Sequence, residues 1–445
     1  MKNIHLVFLL LALALAGCQI DEQVDPNRPS LNSVLSNASR AELNNLVIGI
    51  QAEMRSGLGT YAASTGTIAR ELYLFNADPR NLQDLVGLDG RQLDNNTFYL
   101  TNIYNPRYRV IKNCNILFEA LDNSAAVSEA EKQGYRGFAN TMKAHELLLV
   151  LNLLDENGIR VSVADPDNLG SFVSKSEALT EIARLLEEGN TQLGAASDAF
   201  GFPLSSGFAG FDTPATFRRF NRALAARVAL YREDWSGALA LLNASFFALN
   251  GDMSLGPKHV FSTAGQDQLN PVFRIPDQNG DQIIVNNAHI TGAETGDLRI
   301  SGKTAPRLNP TGQGGFNGTH ESRLYANAVA PISIIRNEEL HLIYAEANIQ
   351  LGNFAAALTG LNAVRTSAGL NAYSGPQNRE ALIDQMLQER RYSLFSEGHR
   401  MIDLRRYGRL NAENVPVDPN LNPDTGQTRS QTVFLRFPIP LAENP

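Results

Sequence analysis

The part of this chain richest in groups able to do chemistry lies near the C-terminus, at residues 389–406. It places four charged residues at intervals of three: Glu397, Arg400, Asp403 and Arg406. His399 lies among them, and a histidine beside carboxylates could serve general acid–base catalysis. Side chains three apart also meet on one surface of a helix, where opposite charges pair. We therefore favour an internal salt-bridge network over a catalytic site.

A helix is needed to position these charges, and the same residues predict one. Apolar side chains recur between the charges: Tyr392, Phe395, Met401 and Leu404. The pattern indicates a single long helix that begins near Arg379. Gly398 in its interior costs roughly 1 kcal/mol relative to alanine, which predicts that another backbone approaches closely there.

Other catalytic and metal-binding patterns are incomplete. His145-Glu146 begins like the zinc-protease motif His-Glu-x-x-His, but residue 149 is leucine, so the second ligand is missing. The seven histidines are scattered, and no nucleophile elbow or phosphate-binding loop occurs. We expect no catalytic residue, no cofactor and no metal. Two carboxylates for glycoside hydrolysis can come from distant parts of a chain, so a surface glycosidase or peptidase on a helical frame stays open as an alternative.

Composition and charge exclude other classes of protein. With 445 residues, 43% hydrophobic and 19% charged, the chain is globular rather than disordered. It is long enough for one large domain or roughly two to three ordinary ones. The net charge of −8 provides no basic patch, so we expect no nucleic-acid partner.

The N-terminus predicts a lipoprotein. Residues 4–16 are apolar except for His5, and this stretch is too short to span a membrane but suits a signal peptide. It ends in Leu-Ala-Gly-Cys at Cys18, which matches the bacterial lipobox and implies a lipid anchor on Cys18. Residues 1–17 are then the lipoprotein signal peptide. An ordinary signal peptide with a chance cysteine is the alternative.

Residues 18–30 predict an extended tether between the lipid and the folded chain, with prolines at Pro26 and Pro29. The acidic pair Asp21-Glu22 resembles the surface-export signal of Bacteroidota lipoproteins. Several acyl chains on one cysteine hold a protein firmly at a membrane. The tether therefore needs no transmembrane helix.

Helical periodicity dominates the rest of the chain. Amphipathic stretches occur at 41–55, 109–121, 128–154, 175–193, 214–231, 235–247 and 337–368. Two pairs of helices share the spacing of small and large residues found in tetratricopeptide-type hairpins, at residues 226–242 and 345–361. We expect a mainly α fold in which such hairpins form one scaffold.

Residues 248–335 have a different composition, rich in Gly, Asn, Asp and Pro, with short apolar pieces such as 272–275 and 283–285. This predicts a loop-rich insertion with short strands. Long loops on a rigid scaffold commonly carry binding sites. We divide the folded chain into an N-terminal helical part at 31–247, the insertion at 248–335 and a C-terminal helical part at 336–445.

Several segments together resemble the SusD/RagB family. They are the lipobox, residues 338–370, the run 389–406 and the ending Phe437-Pro-Ile-Pro440 to Pro445. The resemblance implies a SusD-like fold and a surface lipoprotein on the outer membrane of a Bacteroidota-type bacterium. It further implies a nutrient-binding protein, not an enzyme, that partners a SusC-like TonB-dependent transporter and acts as its lid. It implies an oligosaccharide ligand; a peptide is the alternative within the same system, and a scaffold for proteins alone is a third reading.

Sugars bind aromatic faces and polar side chains, and the only tryptophan, Trp235, occupies a packing position of a hairpin. Tyrosine, phenylalanine, asparagine and arginine must therefore supply a sugar site. Outside the clear helices they concentrate in the regions 60–110 and 316–325, which we expect to be loops, and Phe98 belongs to the first of these regions. Our candidate ligand-binding residues are Tyr61, Arg70, Tyr73, Phe75, Asn95, Tyr99, Asn102, Phe316, Arg323 and Tyr325.

Overall fold

The computed structural model of the chain describes residues 31–265, 267–417 and 426–443, without the side chains of 31–33. The described chain is mainly α-helical with short strands, as predicted. The predicted signal peptide, Cys18 and the tether to residue 30 lie outside the described residues. Within the described ranges, no helix is both long enough and apolar enough to cross a membrane.

Nine of the α-helices in the described ranges lie between residues 31 and 243. They are α1 (Leu31–Asn37), α2 (Arg40–Glu53), α3 (Leu58–Ile68), α4 (Arg80–Gln83), α5 (Phe98–Asn123), α6 (Glu129–Leu154), α7 (Lys175–Gly194), α8 (Pro214–Tyr231) and α9 (Trp235–Asn243). The remaining helices are α10 (Asn287–Thr291), α11 (Leu298–Lys303), α12 (Asn337–Gln350), α13 (Phe354–Ser367), α14 (Arg379–Ser393) and α15 (Arg400–Arg406).

Local sequence explains where three of the long helices begin. A serine before α2, α6 and α7 accepts a hydrogen bond from the backbone of a glutamate three residues on, and the glutamate binds back to the serine backbone: Ser39 with Glu42, Ser128 with Glu131 and Ser174 with Glu177. These capping boxes satisfy backbone N–H groups that a helix start leaves free.

The two predicted hairpins are present as α8–α9 and α12–α13. Gly360 allows the second hairpin to close, because a Cβ there would lie 3.0 Å from the His341 carbonyl oxygen. Arg227 of α8 and Glu339 of α12 join the two hairpins through a buried ion pair of 2.6 Å. The hairpins therefore form one scaffold although they lie far apart in sequence.

The strands β1 (Leu72–Asn76), β5 (Asp281–Val285), β7 (Phe316–Ser322) and β6 (Thr304–Gln313) form an antiparallel sheet in that order. Two short ladders complete the set: β2 (Ile159–Arg160) with β3 (Phe172–Val173), and β4 (Lys258–His259) with β8 (Ile332–Ser333). Most of these strands come from residues 248–335, where short strands were predicted. The sheet joins that region to β1, which follows α3.

The prediction of a single long helix at the C-terminus is wrong. α14 ends at Ser393 and α15 begins at Arg400, and a turn of residues 394–399 separates them. Ser396 and Gly398 have φ angles of +59° and +82°, which a right-handed helix does not allow. Moreover, the group that approaches Gly398 is the Tyr61 ring and not a backbone.

The charged residues of this region do stabilise the fold, but mostly by pairing with residues of other elements. Asp403 accepts from Arg390 of α14 at 2.7 Å, and Glu397 pairs with Arg336. The only one of the three predicted pairs at spacing three that forms is Asp403 with Arg406, at 3.4 Å. Internal salt bridges are confirmed here, but most of the paired residues lie on different elements and not on one helix.

A second difference concerns the aromatic segment before residue 109. The sequence suggested a loop there, but the segment is the first part of α5, which contains Pro106. Proline has no N–H to donate, so the carbonyl four residues earlier, that of Asn102, loses its helical partner. This carbonyl faces Gly57, whose missing side chain makes room for it. Because proline is rare inside helices, the sequence did not predict that the helix continues through Pro106.

Candidate functional site

A surface cleft of about 470 Å³ lies where the first turns of α3, the end of β1 and the segment before β5 meet. Its polar lining comes from Thr60, Ser64, Asn76, Asp78, Asn81, Arg274 and Asp281, and its apolar lining from Ala63, Leu74, Phe98 and Pro271. Gly57 and Gly59 complete the wall that α3 provides. Such a mixture of hydrogen-bonding groups and apolar carbon suits a polyhydroxylated ligand.

The apolar side of the cleft is built around the Phe98 ring at the start of α5. Phe98 is half-buried, and the Arg80 guanidinium lies 4.9 Å from its ring centre. Asp78 fixes Arg80 by a fork of hydrogen bonds, of which the shortest is 2.6 Å. The result is a planar cation held against an aromatic ring at the cleft rim.

Asn76 organises the polar side of the cleft. Its side-chain oxygen accepts from the Asp78 backbone N–H at 3.2 Å and from the Asn81 amide at 3.0 Å. The Asp78-Pro79 turn carries the chain from β1 into α4, so these side chains stand together at one strand end. All three side chains line the cleft.

The opposite wall carries a second ion pair, Arg274 with Asp281 at 3.0 Å. Arg274 also donates to the Pro271 and Phe273 carbonyl oxygens. On the other side, the Arg80 guanidinium holds the pKa of Asp78 below its usual range, so this carboxyl stays ionised. Each charged side chain that lines the cleft is therefore already paired.

Glycine allows the walls to approach each other. A Cβ at Gly59 would lie 2.5 Å from the Pro271 carbonyl oxygen, closer than real side chains come. A larger residue would push α3 away from the segment before β5. The width of the cleft thus depends on the position of α3.

The structure does not bring the predicted ligand residues into this cleft. Six of them are buried: Tyr61, Arg70, Tyr73, Phe75, Tyr99 and Phe316. They cannot offer a surface to a ligand in this conformation, because their side chains lie in the interior: Tyr73, Phe75 and Phe316 pack together beside the sheet, and Tyr61 and Tyr99 belong to the helical core. The expectation of an exposed aromatic surface made by these residues is corrected accordingly.

Arg70 and Tyr99 have structural partners instead. The Arg70 guanidinium donates to the Ile68, Val86 and Thr432 carbonyl oxygens, which ties three chain segments together. Tyr99 accepts from the Asp94 N–H at 2.6 Å, and burial raises the pKa of its hydroxyl to about 12. Both side chains brace the walls near the cleft without lining it.

Tyr61 and the four candidates that are not buried lie in different places. Asn95 accepts the Leu441 N–H through its backbone, Asn102 is exposed on α5, and Arg323 pairs with Glu321 at 2.6 Å. Tyr61 and Tyr325 both line an internal cavity of about 70 Å³ behind α3. A ligand-binding role for these residues stays a prediction.

The cleft residues that the sequence did not single out are Asn76, Asp78, Arg80, Asn81, Arg274 and Asp281. A signal was present for the first four, since Asn76-Ala-Asp-Pro-Arg-Asn81 is a polar turn directly after an apolar strand. Arg274 and Asp281 lie in the loop-rich region, but nothing in their spacing distinguishes them from its other polar residues.

The cavity behind α3 contains three histidines, His145, His259 and His399. Burial lowers the pKa of all three, that of His259 to about 3. They are neutral at pH 7, which is the form in which histidine binds metal ions. Among the residues that the structure describes, however, no three His, Cys, Asp or Glu side chains are grouped for this purpose.

Glu71, between α3 and β1, gives a testable pH dependence. Burial raises the pKa of this carboxyl to about 7, against the lowering effect of the Ser396 N–H and of Arg400. The folded chain therefore keeps a proton that the unfolded chain has lost, and stability falls as pH rises from about 4.5 to about 7. In Glu71→Gln the free energy of unfolding should fall by about 3 kcal/mol less over this pH range than in wild type.

Urea unfolding of wild type and Glu71→Gln at pH 4, 6 and 8 measures this difference. Glu146, whose pKa burial also raises to about 7, is present in both proteins, so its contribution cancels. A constant difference between the two proteins across the three pH values would contradict the prediction.

Comparison with known proteins agrees with the resemblance seen in the sequence. Residues 308–440 match the model of the SusD family. No curated protein sequence matches the chain. The family resemblance therefore rests on this C-terminal region and on the fold.

Solved structures share the fold over nearly the whole chain at low sequence identity. Surface glycan-binding protein A from Bacteroides thetaiotaomicron is 13% identical, with a TM-score of 0.70, covering 92% of this chain and 97% of its own. A putative sugar binding protein from Bacteroides vulgatus is 20% identical, with a TM-score of 0.64 and coverages of 92% and 96%. A SusD superfamily protein from Bacteroides vulgatus is 15% identical, with a TM-score of 0.65 and coverages of 91% and 96%.

Proposed function

We propose that this chain, which is SusD-like in the sequence of residues 308–440 and in its fold, is a surface lipoprotein that binds a nutrient oligosaccharide. The cleft beside Phe98 carries this proposal. An aromatic ring, amide side chains and a hydroxyl meet there on one surface. Two of the proteins that share the fold are described as a glycan-binding and a sugar binding protein, which supports the same ligand class.

The hydrogen-bonding groups of the cleft suit sugar hydroxyls. The Asn76 oxygen is already engaged by two donors, so Asn76 offers its amide N–H groups, whereas Asn81 offers its amide oxygen and its second N–H. Thr60 adds a hydroxyl. The Phe98 ring and Leu74 offer apolar carbon against which a sugar C–H face packs. The protein binds its ligand and releases it without breaking a bond of the ligand.

The surroundings of the binding protein follow from the family and from the N-terminus. Cys18 carries the lipid anchor and holds the protein at the outer membrane, facing the cell exterior. A SusC-like TonB-dependent transporter is the partner that receives the nutrient, and this protein acts as its lid. Co-purification from outer membranes of the native host tests this arrangement, and recovery without any β-barrel partner would contradict it.

Phe98→Ala should weaken oligosaccharide binding by roughly tenfold, about 1.4 kcal/mol, because the ring supplies the apolar contact of the site. Isothermal titration with maltoheptaose, cellohexaose, xylohexaose and laminarihexaose measures the affinity. Phe172→Ala is the matched control: Phe172 is also half-buried and has an arginine, Arg160, 4.9 Å from its ring centre, but it lies outside the cleft.

Equal affinity of wild type and Phe98→Ala for a sugar that binds would contradict the cleft as the site. Binding of peptides but of none of the four sugars would favour the peptide-binding alternative. Release of shorter sugars during the titration, detected by chromatography, would favour the glycosidase. A protein that captures only the transporter and none of these ligands would act as a scaffold.

A further inference from the structure

The turn of residues 394–399 contacts the helix that forms one wall of the cleft. The turn belongs to the C-terminal region, whereas α3 and β1 belong to the first part of the chain. Three of its residues, Phe395, Ser396 and Gly398, are buried against this α3–β1 unit. The contacts reach α3 near its start, at its end and along the strand that follows.

The first contact is between Gly398 and the ring of Tyr61, in the second turn of α3. A Cβ at Gly398 would overlap ring atoms of Tyr61. The φ angle of +82° at Gly398 also favours glycine. Any larger residue would therefore have to displace either the turn or α3.

The second and third contacts fix the other end of the unit. The Ser396 N–H donates to Glu71 Oε2 at 3.1 Å, just before β1 begins. Phe395 is fully buried and packs in one cluster with Ala63 and Leu74. Ala63 and Leu74 also line the cleft, so the apolar cluster that contains Phe395 extends to the cleft wall.

The two faces of α3 thus have different neighbours. Tyr61 faces the turn, whereas Gly59, Thr60 and Ser64 line the cleft. Because Gly59 already touches the opposite wall, a small shift of α3 changes the width of the cleft. The turn sits where it can determine that position.

We propose that Gly398, together with Phe395 and Ser396, positions the ligand cleft from behind: the 394–399 turn holds α3 in register with the opposite wall. The inference rests on the proposed function only in taking the cleft as the ligand site. These residues touch no ligand and are positioning residues.

Hydrogen exchange of the purified protein tests the inference without a ligand. In Gly398→Ala, amides of residues 57–76 should exchange at least roughly tenfold faster than in wild type, because α3 loses its support. Gly408→Ala is the matched control. Gly408 also has a positive φ, +64°, but a Cβ there meets nothing within 4 Å.

A double-mutant cycle identifies the contact itself. Adding Tyr61→Leu to Gly398→Ala removes the overlap, so the double variant should protect residues 57–76 better than Gly398→Ala alone. Should Gly398→Ala fail to fold, Phe395→Leu is the milder probe. It should speed exchange in residues 57–76 but not in α13, which packs in another cluster.

Equal exchange of residues 57–76 in Gly398→Ala and Gly408→Ala, or strict additivity in the cycle, would overturn the inference. An equal increase in exchange rate in α3 and in α13 of Phe395→Leu would also overturn it. Affinity for any of the four sugars that binds wild type should fall in Gly398→Ala and persist in Gly408→Ala. If no sugar binds, the proposed function fails, and the exchange data still decide whether the turn positions α3.

Discussion

Asp403→Ala should lower the free energy of unfolding by about 3–5 kcal/mol, because it leaves the Arg390 guanidinium buried without its partner. The Arg390 Nε to Asp403 Oδ2 distance is 2.7 Å, and only 1% of each side chain is exposed. Arg406 loses a weaker contact to the same carboxylate. Guanidinium chloride unfolding followed by circular dichroism measures the loss.

Asp384→Ala is the matched control, since Asp384 pairs with Arg409 at 2.5 Å in the same part of the chain but is 56% exposed. An exposed pair contributes less than ~1 kcal/mol. Replacing both buried partners, in Arg390→Met/Asp403→Leu, should recover much of the loss because no buried charge is left unpaired. Equal losses in Asp403→Ala and Asp384→Ala would contradict this account.

The helical scaffold was predictable because its signals are local. The period of the apolar residues identified α6, α7 and α8, and serine–glutamate pairs marked where helices begin. The hairpin pattern placed a small residue, Ala345, where two helices touch, opposite Gly360. Each of these features lies within one or two helices, so a single sequence carries it.

The break at 394–399 could not be predicted in the same way. Its cause is the contact of Gly398 with Tyr61 and of Ser396 with Glu71, residues more than 300 positions earlier in the chain. Apolar and charged residues on both sides of the break keep a helical period. The pattern therefore continued through a turn that only the tertiary contacts reveal.

The candidate site was partly wrong for a related reason. Tyr73 and Phe75 alternate with Leu72 and Leu74 in β1, which usually places one pair towards solvent. Here both faces of the strand are covered. Leu72 and Leu74 pack in one cluster, and Tyr73 and Phe75 in another with Phe316. A single strand's sequence does not show what covers its second face, so the aromatic residues were taken for an exposed surface.

The ion pair that joins the two hairpins gives the second large effect. Glu339→Gln should lower the free energy of unfolding by about 3–5 kcal/mol at pH 7, since it leaves the buried Arg227 without a counter-ion. Two hydrogen bonds of 2.7 and 2.6 Å connect Arg227 to this carboxylate. The glutamine amide oxygen can keep one of these two bonds, and Arg227 keeps its bond to the Ile334 carbonyl oxygen at 3.0 Å, but the counter-charge is lost.

The pH dependence distinguishes this pair from a general packing defect. Burial alone would raise the pKa of Glu339, but Arg227 and His399 outweigh it and lower the pKa to about 2. The contribution of Glu339 to stability is therefore fully present above about pH 4.5 and is lost as pH falls towards 2. The stability difference between wild type and Glu339→Gln should shrink by about 3 kcal/mol over that window.

Denaturant unfolding at pH 7, 4.5 and 2.5 measures that difference directly. Glu338, whose carboxylate pairs with Arg336 and also has a pKa lowered to about 2, is common to both proteins and cancels. A difference that stays constant down to pH 2.5 would mean that Glu339 acts through shape and not through charge. If it shrinks as expected, the two hairpins are held together by a charge pair, and the frame behind the cleft weakens with acid.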